Sequence, residues 1–458
     1  MGSIVVVSNR GPFRVSGTGA RRKRVRAAGG LVTALLPVLR ERGGTWVSAQ
    51  ETDHPLVVAD QGESEPFDVA EVKIPKRQRD AFYGPFSNGV LWPLLHSMKA
   101  TVPLGAAPWD AYDAANHAFA EVALKAGGSE GTYWVHDYHL MRVPGILRER
   151  APGSRIGWFC HIPWPGPDLF SALPWRSEML DGLLGADLLG FHTEEYAEQF
   201  LACIRRLTDH PVRGETIDVG ERRVKVVVAP IGVPWDELQS LARSPGVERE
   251  RSRIRRRIDH RAMILGVDRL DYTKGVPERL EAWARLLAKR PKLREGAVLV
   301  QVMVPSREAV KAYQDLKDEV DRLVGDINGR FALTGRVPLH YFYRSLNPEQ
   351  LYAHYRAADV GLVTPLRDGM NLVAHEYCGS RVEEDGVLVL SEFAGAAHYL
   401  RSATIVNPHD VVGTAEALEE ALRRPRLEQR EPMQELRKQV AALDVHKWAA
   451  GYLGRLEG

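Results

Sequence analysis

Short runs of β-branched and apolar residues recur along this chain, and longer helical patterns separate most of them. The runs include Ile4–Val7, Tyr133–Val135, Ile156–Phe159, Leu188–Phe191, Val224–Val228, Met263–Val267, Val298–Val304, Phe331–Leu333, Val360–Val363, Val387–Leu390 and Thr404–Val406. Continuous apolar runs of this kind are strands buried on both faces. Their alternation with helices builds βαβ units and parallel sheets. There are too many for one small doubly wound sheet, so a chain of 458 residues divides into two domains. A boundary near Pro230–Glu237 gives comparable halves, 1–235 and 236–458, each Rossmann-like. Beyond it, Glu248 to Arg261 reads as a charged, solvated helix. The segment from Arg423 is helical and charged, and can cap its own half or cross back to the first.

The unusual residues cluster where the strands end. Ser8-Asn-Arg10 follows the first run, His136-Asp137 follows Val135, and His161-Ile-Pro-Trp-Pro165 follows Phe159. In the second half Asp268-Arg269-Leu-Asp271-Tyr-Thr-Lys274-Gly275 follows Val267, and Arg307 stands soon after Val304. In open α/β sheets ligands bind outside the carboxyl ends of the strands. Both halves carry such residues, which places the expected active site in a cleft between them.

The stretch Thr364-Pro-Leu-Arg-Asp-Gly-Met-Asn-Leu-Val-Ala-His-Glu376 shows what kind of ligand this is. The strand breaks at Pro365 and Gly369, and a helix follows from Asn371. Free backbone N–H groups at a helix N-terminus suit phosphate. Asp368 in the turn and Glu376 in the helix offer carboxylates for hydroxyls, and the combination points to a sugar nucleotide. Arg269 and Lys274, a planar fork and a point charge, suit a diphosphate; the alternative is that Arg269 pairs with Asp271 and Lys274 is solvated. Arg10 and Arg307 can clamp a second phosphate or serve as structural ion pairs. Tyr83 through Asn88, with Trp92, reads as an aromatic loop, either packed or a stacking platform for a sugar. Ala27-Ala-Gly-Gly-Leu31 lets backbone approach a ligand closely. The basic run Arg21–Arg26 before it fits a loop beside a phosphate site, a solvated segment, or an RNA or membrane contact.

A net charge of +2 argues against a dedicated nucleic-acid binder. The three cysteines, Cys160, Cys203 and Cys378, are far apart and read as reduced, buried thiols. No apolar run reaches about 18 residues, so no membrane span is expected, and the start of the chain has no signal-peptide pattern. The expected location is the cytoplasm. No metal-ligand spacing, Walker A sequence or Gly-x-Ser-x-Gly elbow occurs, so neither metal nor cofactor is expected.

Together these motifs resemble the trehalose-6-phosphate synthase family, retaining glycosyltransferases of GT-B fold in glycosyltransferase family 20. The resemblance runs from Ser3 to about Pro408. It rests on Ser8-Asn-Arg10, Ala28-Gly-Gly-Leu31, Tyr83 through Trp92, His136-Asp-Tyr-His-Leu140, His161-Ile-Pro, Val267 through Gly275, Arg307, Thr364–Glu376 and Leu390-Ser-Glu-Phe-Ala-Gly395. It implies a GT-B fold whose two Rossmann-like domains face each other. It also implies glucose transfer from UDP- or GDP-glucose to glucose-6-phosphate, giving α,α-trehalose 6-phosphate. Arg269, Lys274, His161 and Asp368 would be catalytic. Gly30, Arg269, Lys274, Asp368, Gly369, Met370, Asn371, Leu372 and Glu376 would bind the donor, and Arg10, Trp46, Tyr83, Trp92, Asp137 and Arg307 the acceptor. The base would rest on loops around Gly335–Leu346. The implied partners are these small molecules, with no nucleic acid or membrane, and homo-oligomers remain open. The rival readings are a different sugar-phosphate-like acceptor on the same scaffold and a non-catalytic sugar-phosphate sensor. A phosphorylase is disfavoured because no lysine has the setting of a pyridoxal phosphate anchor.

Overall fold

The computed structural model describes residues 4–16, 23–26, 30–50, 65–98, 106–308 and 310–458. The chain forms two compact units, Met1–Ile231 with Val445–Gly458, and Gly232–Asp444. Strands in the first unit are β1 (Ile4–Val7), β2 (Phe13–Ser16), β3 (Lys23–Arg26), β4 (Thr45–Ala49), β5 (Asp68–Val72), β6 (Thr132–His136), β7 (Arg155–Phe159), β8 (Leu188–Phe191), β9 (Val212–Arg213), β10 (Thr216–Val219) and β11 (Arg222–Val228). The second unit has β12 (Ala262–Arg269), β13 (Ala297–Val304), β14 (Leu339–Tyr343), β15 (Val360–Val363), β16 (Val387–Ser391) and β17 (Thr404–Val406).

The second sheet runs β14-β13-β12-β15-β16-β17, all parallel. Numbered within the unit this is 3-2-1-4-5-6, the Rossmann order. The first sheet begins the same way, β5-β4-β1-β6-β7-β8, and continues through parallel β11 to antiparallel β10 and β9. In each sheet the order reverses beside the unit's first strand, between β1 and β6 and between β12 and β15. In such sheets ligands bind outside the carboxyl ends of the strands, at the loops leaving the point of reversal.

The central strands, aliphatic in β1, β13 and β16 and rich in aromatics in β6 and β7, have almost no exposed surface, as expected of a sheet covered on both faces. In the second unit the helix Val276–Lys289 lays Leu280, Trp283, Leu286 and Leu287 on the sheet. In the first, the final helix Val445–Glu457 packs on β7 and β8, where the Tyr452 hydroxyl bonds the carbonyls of Trp158 and Leu188, each at 2.9 Å.

Four expectations need correction. Phe331–Leu333 is not a strand. Phe331 ends the helix Lys311–Phe331, continuing the buried face of Tyr313, Leu316, Val320, Leu323 and Ile327, and Leu333 makes only an isolated bridge to Arg336. The stretch from Tyr83 to Trp92 is not a loop. Phe82–Leu91 is a wide π-helix that runs into the helix Trp92–Leu95. It buries Phe82, Phe86, Val90 and Leu91 around Pro85, whose missing N–H breaks an α-helical ladder. Lys23–Arg26 is not loop but β3, paired antiparallel with β2. Arg21, Arg22 and Ala27–Gly29 lie outside the described residues. Finally, Gly335–Leu346 holds the edge strand β14, which pairs with β13.

Candidate active site

In the second unit, the loop after β12 and the loop after β15 are joined by backbone. The Leu366 N–H donates to the Thr273 carbonyl at 2.8 Å. Lys274 crosses the join, with its ammonium 2.5 Å from Asp368 Oδ2. The same oxygen accepts from Asn371 Nδ2 at 2.9 Å. Gly369 is held from the other side by the motif at 390–395. The Asp368 N–H donates to the Phe393 carbonyl and the Gly395 N–H to the Asp368 carbonyl. A Cβ on Gly395 would lie 2.0 Å from the Gly369 carbonyl oxygen, so only glycine allows this approach.

Asn371 is left-handed (φ 72°) and opens the helix Leu372–Ser380. The N–H groups of Met370, Asn371, Leu372 and Val373 find no acceptor among the described residues. They leave a helix terminus suited to an anion, linked to Lys274 through Asp368. Arg269 ends β12 with its side chain 40% exposed, and its Nη2 is 3.8 Å from Asp271. It is therefore both paired and presented, which combines the two sequence readings. Glu376, in the helix, accepts from the Tyr355 hydroxyl at 2.7 Å through Oε2. Burial raises the Glu376 carboxyl above its usual range, against the lowering effect of that hydroxyl.

Arg307 is retracted. Its side chain is 4% exposed, Nη1 lies 3.1 Å from the buried Asp271 carboxylate, and it donates to the Tyr313 hydroxyl. Its backbone is left-handed (φ 49°). Beneath these loops the buried Arg279 guanidinium is bonded to Asp268, to Gln301 Oε1 (3.0 Å), to Thr364 Oγ1 (3.0 Å) and to the Lys274 carbonyl (3.3 Å). Sequence reasoning missed Arg279, Gln301, Tyr313 and Tyr355. The available signals were an arginine on an otherwise apolar helix face and a glutamine inside an apolar strand.

In the first unit, Arg10 is exposed beyond β1 and donates to the Tyr83 hydroxyl at 2.9 Å. Tyr83 stacks on His139 (5.8 Å, 6°). Asp137, after β6, has φ 74° and ψ 170°, a region nearly reserved for glycine. Its N–H donates to the Phe159 carbonyl at 2.8 Å, which pins the strained turn to β7. Trp46 does not line this edge. It is fully buried, and its indole donates to Ser8 Oγ (2.8 Å), which in turn donates to the Arg10 carbonyl (2.7 Å). Trp46 thus braces the Arg10 turn from the core. Trp92 is 5% exposed and packs against His96 and Tyr138, so its face is not open to a sugar.

His161 is half-buried beyond β7 among Phe159, His192 and Trp448. Burial first, then the neighbouring His136 and His192, hold its imidazole well below the usual histidine range. Gly30 is the first residue of the helix Gly30–Arg42. The three cysteines are free and buried. Among the described residues no group of three or more His, Cys, Asp or Glu could hold a metal ion, and no helix is long and apolar enough to cross a membrane.

Cations, free helix amides and carboxylates thus meet at a Rossmann switch point. The profile of glycosyltransferase family 20 covers residues 2–458. The chain belongs to glycosyltransferase family 20. This glycosyltransferase is 42% identical over 479 residues to the trehalose-6-phosphate synthase of Mycobacterium tuberculosis H37Rv, covering 99% of this chain and 94% of that one. It is 43% identical over 474 residues to the synthase of Mycobacterium avium strain 104, covering 99% and 95%. Among solved structures, the trehalose-6-phosphate protein of E. coli bound with UDP-2-fluoro glucose superposes with TM-score 0.90 at 35% identity, covering 99% of this chain and 98% of the other. An α,α-trehalose-phosphate synthase (UDP-forming) from Burkholderia xenovorans in complex with glucose-6-phosphate gives TM-score 0.90 at 34% identity, covering 100% of both chains. The family 20 chain is an enzyme of the α/β, GT-B class that its sequence implied.

Proposed function

We propose that this enzyme transfers glucose from a nucleoside diphosphate glucose to glucose-6-phosphate, forming α,α-trehalose 6-phosphate with retention at the donor carbon. The observation that carries the reading is the cluster of Arg269, Lys274 and the unpaired amides of Met370 to Val373 at one switch point. That cluster suits a diphosphate leaving group. The solved E. coli and Burkholderia relatives, one bound with UDP-2-fluoro glucose and the other UDP-forming, favour UDP-glucose over GDP-glucose. A panel of UDP-, GDP- and ADP-glucose with glucose-6-phosphate, scored for nucleotide release and disaccharide phosphate, tests both donor and acceptor. Absence of product with every donor would sink the reading.

In this mechanism Arg269, Lys274 and the helix terminus stabilise charge on the departing diphosphate. Asp368 has Oδ2 committed to Lys274 and Asn371, which fits a hydroxyl contact and not a nucleophile. Front-face attack follows: the acceptor hydroxyl enters on the leaving-group side and gives its proton to the departing phosphate oxygen. Gly30 approaches the donor phosphates, and Glu376 holds the ribose. Arg10, Tyr83, Asp137 and Arg307 take the acceptor, with Arg307 drawn from Asp271 by the sugar phosphate. His161 contacts the transferred glucose.

Arg269→Ala is expected to keep the fold and lower kcat about 100-fold, equivalent to about 3 kcal/mol of transition-state stabilisation. Steady-state kinetics beside a circular dichroism spectrum checks this, and a near-normal rate removes Arg269 from the diphosphate site. Tyr355→Phe deletes one hydrogen bond to Glu376 and should weaken UDP binding about 5-fold, about 1 kcal/mol. Calorimetric titration reads that change; unchanged affinity would detach Glu376 from the ribose.

A further inference from the structure

His136 closes β6, and its Nδ1 lies 3.0 Å from Nε2 of His161. No carboxylate forms an ion pair with either ring among the described residues. Their surroundings are the rings of Trp134, Phe159, His192 and Trp448. Burial in that setting disfavours the imidazolium form of both histidines, so the pair is neutral.

Two neutral imidazoles share one proton across one hydrogen bond, and one ring donates while the other accepts. The choice fixes both outer nitrogens. If His136 donates, His161 carries its own proton on Nδ1. If His161 donates, its Nδ1 is bare and His136 holds a proton on Nε2. His136 Nε2 is buried and has no partner. A proton there would be an orphaned donor, which folded proteins rarely leave; under-satisfied acceptors are commoner. His161 has no other hydrogen bond within the described residues, and its Nδ1 is not among the buried unpartnered atoms.

We propose that His136 is a positioning residue that fixes His161 as the Nδ1–H tautomer, so that His161 meets a bound sugar as a hydrogen-bond donor and not as a base. The sugar contact rests on the proposed function, whereas the tautomer belongs to the free protein. Both rings would then be Nδ1–H, the form less populated by free histidine in water.

The test is nitrogen-15 spectroscopy of the full-length enzyme with labelled histidine, assigned by the loss of signals in His161→Asn. The expected spectrum has a protonated Nδ1 and a bare Nε2 on His161. A proton on His161 Nε2 overturns the proposal, and the nitrogen–nitrogen coupling across the His136–His161 hydrogen bond picks out the pair in the wild-type spectrum even if the variants do not fold. In kinetics, His136→Phe should lower kcat about 10-fold or more while the donor KM moves less than about 3-fold. His136→Asn, whose amide N–H occupies nearly the place of Nδ1, should restore most of that loss. Full activity in His136→Phe overturns the positioning role. If the wild type transfers no glucose from any donor, the proposed function fails while the tautomer assignment is still read from the spectrum.

Discussion

Arg279→Met is expected to destabilise the second unit by about 3–5 kcal/mol, the cost of stranding a buried charge. The stranded group is Asp268, whose side chain is 2% exposed and whose Oδ2 is held by the Arg279 guanidinium. Gln301 Nε2 also donates to that oxygen, at 3.2 Å, but an amide cannot replace a cation. Space for the cluster comes from Gly266 on β12, where an added Cβ would lie 2.4 Å from Gln301 Oε1 and 2.7 Å from Arg279 Nη1. The chain gives up a side chain in a central strand to admit a buried ion pair. Such pairs are weak stabilisers against an apolar replacement of both partners, so Asp268→Val combined with Arg279→Met should recover most of the stability lost in the single variant. It should not recover turnover. Arg279 also bonds Thr364 at the end of β15 and the Lys274 carbonyl beyond β12, and both loops carry proposed donor contacts. Urea denaturation with steady-state kinetics on the three proteins separates the effects. A single variant within about 1 kcal/mol of wild type would show that Asp268 is relieved by water or protonation instead.

The same cluster marks how far the sequence could be read. Strands buried on both faces were legible where they are short, mostly apolar runs, and β1, β8 and β15, with the edge strand β17, fall on the bounds read from sequence. Those missed have mixed or charged sequences: β2 and β3, β5 with its exposed Asp68, the short β9 and β10, the aromatic edge strand β14, and the buried β4, whose Thr45 and Ser48 interrupt the apolar run. Their apolar pattern does not stand out from a loop. The candidate site was legible where chemistry coincides with a strand end, since Arg269 ends β12 and Lys274, Asp368, Asp137 and His161 stand just beyond central strands. What the sequence cannot display is partnership. Arg279 is distant in sequence from Thr364, and nothing local marks Asp271 as the carboxylate shared by Arg269 and Arg307. Aromatics mislead for a related reason. A tryptophan serves a core or a sugar with the same side chain, and Trp46 and Trp92 serve the core.

Acid should destabilise both units well above the pH at which carboxylates titrate. Among the described residues each unit encloses one histidine with no exposed surface, His136 in the first and His375 in the second. Burial pushes His136 down to about 3 and His375 down to about 4. Both values lie below the unfolded one of about 6.5. Between folded and unfolded pKa the unfolded chain binds more protons, so stability rises with pH. The contribution is whole above pH 6.5 and is lost as pH falls through 6.5 toward the folded values. The slope is about 1.4 kcal/mol per pH unit for each histidine, giving about 2 kcal/mol each by about pH 5. From the histidines alone a single cooperative transition would lose at least about 4 kcal/mol and separate transitions at least about 2 kcal/mol each, since burial also holds down His161 in the first unit and His340 and His354 in the second. Glu376 and Glu278, raised by burial, act in the opposite sense and offset part of the second unit's slope. Ordinary carboxylates are still ionised in both states near pH 5, so the window isolates these buried groups. Urea midpoints at about pH 8, 6.5 and 5 measure the effect. His136→Phe should lessen the first unit's dependence, with His161 keeping part of it, and His375→Leu the second's, with His340 and His354 keeping part, each without altering the other unit. A wild-type profile flat from pH 6.5 to 5 would mean that these imidazoles accept protons in the folded state, and the neutral pair at His136 and His161 would lose its physical basis.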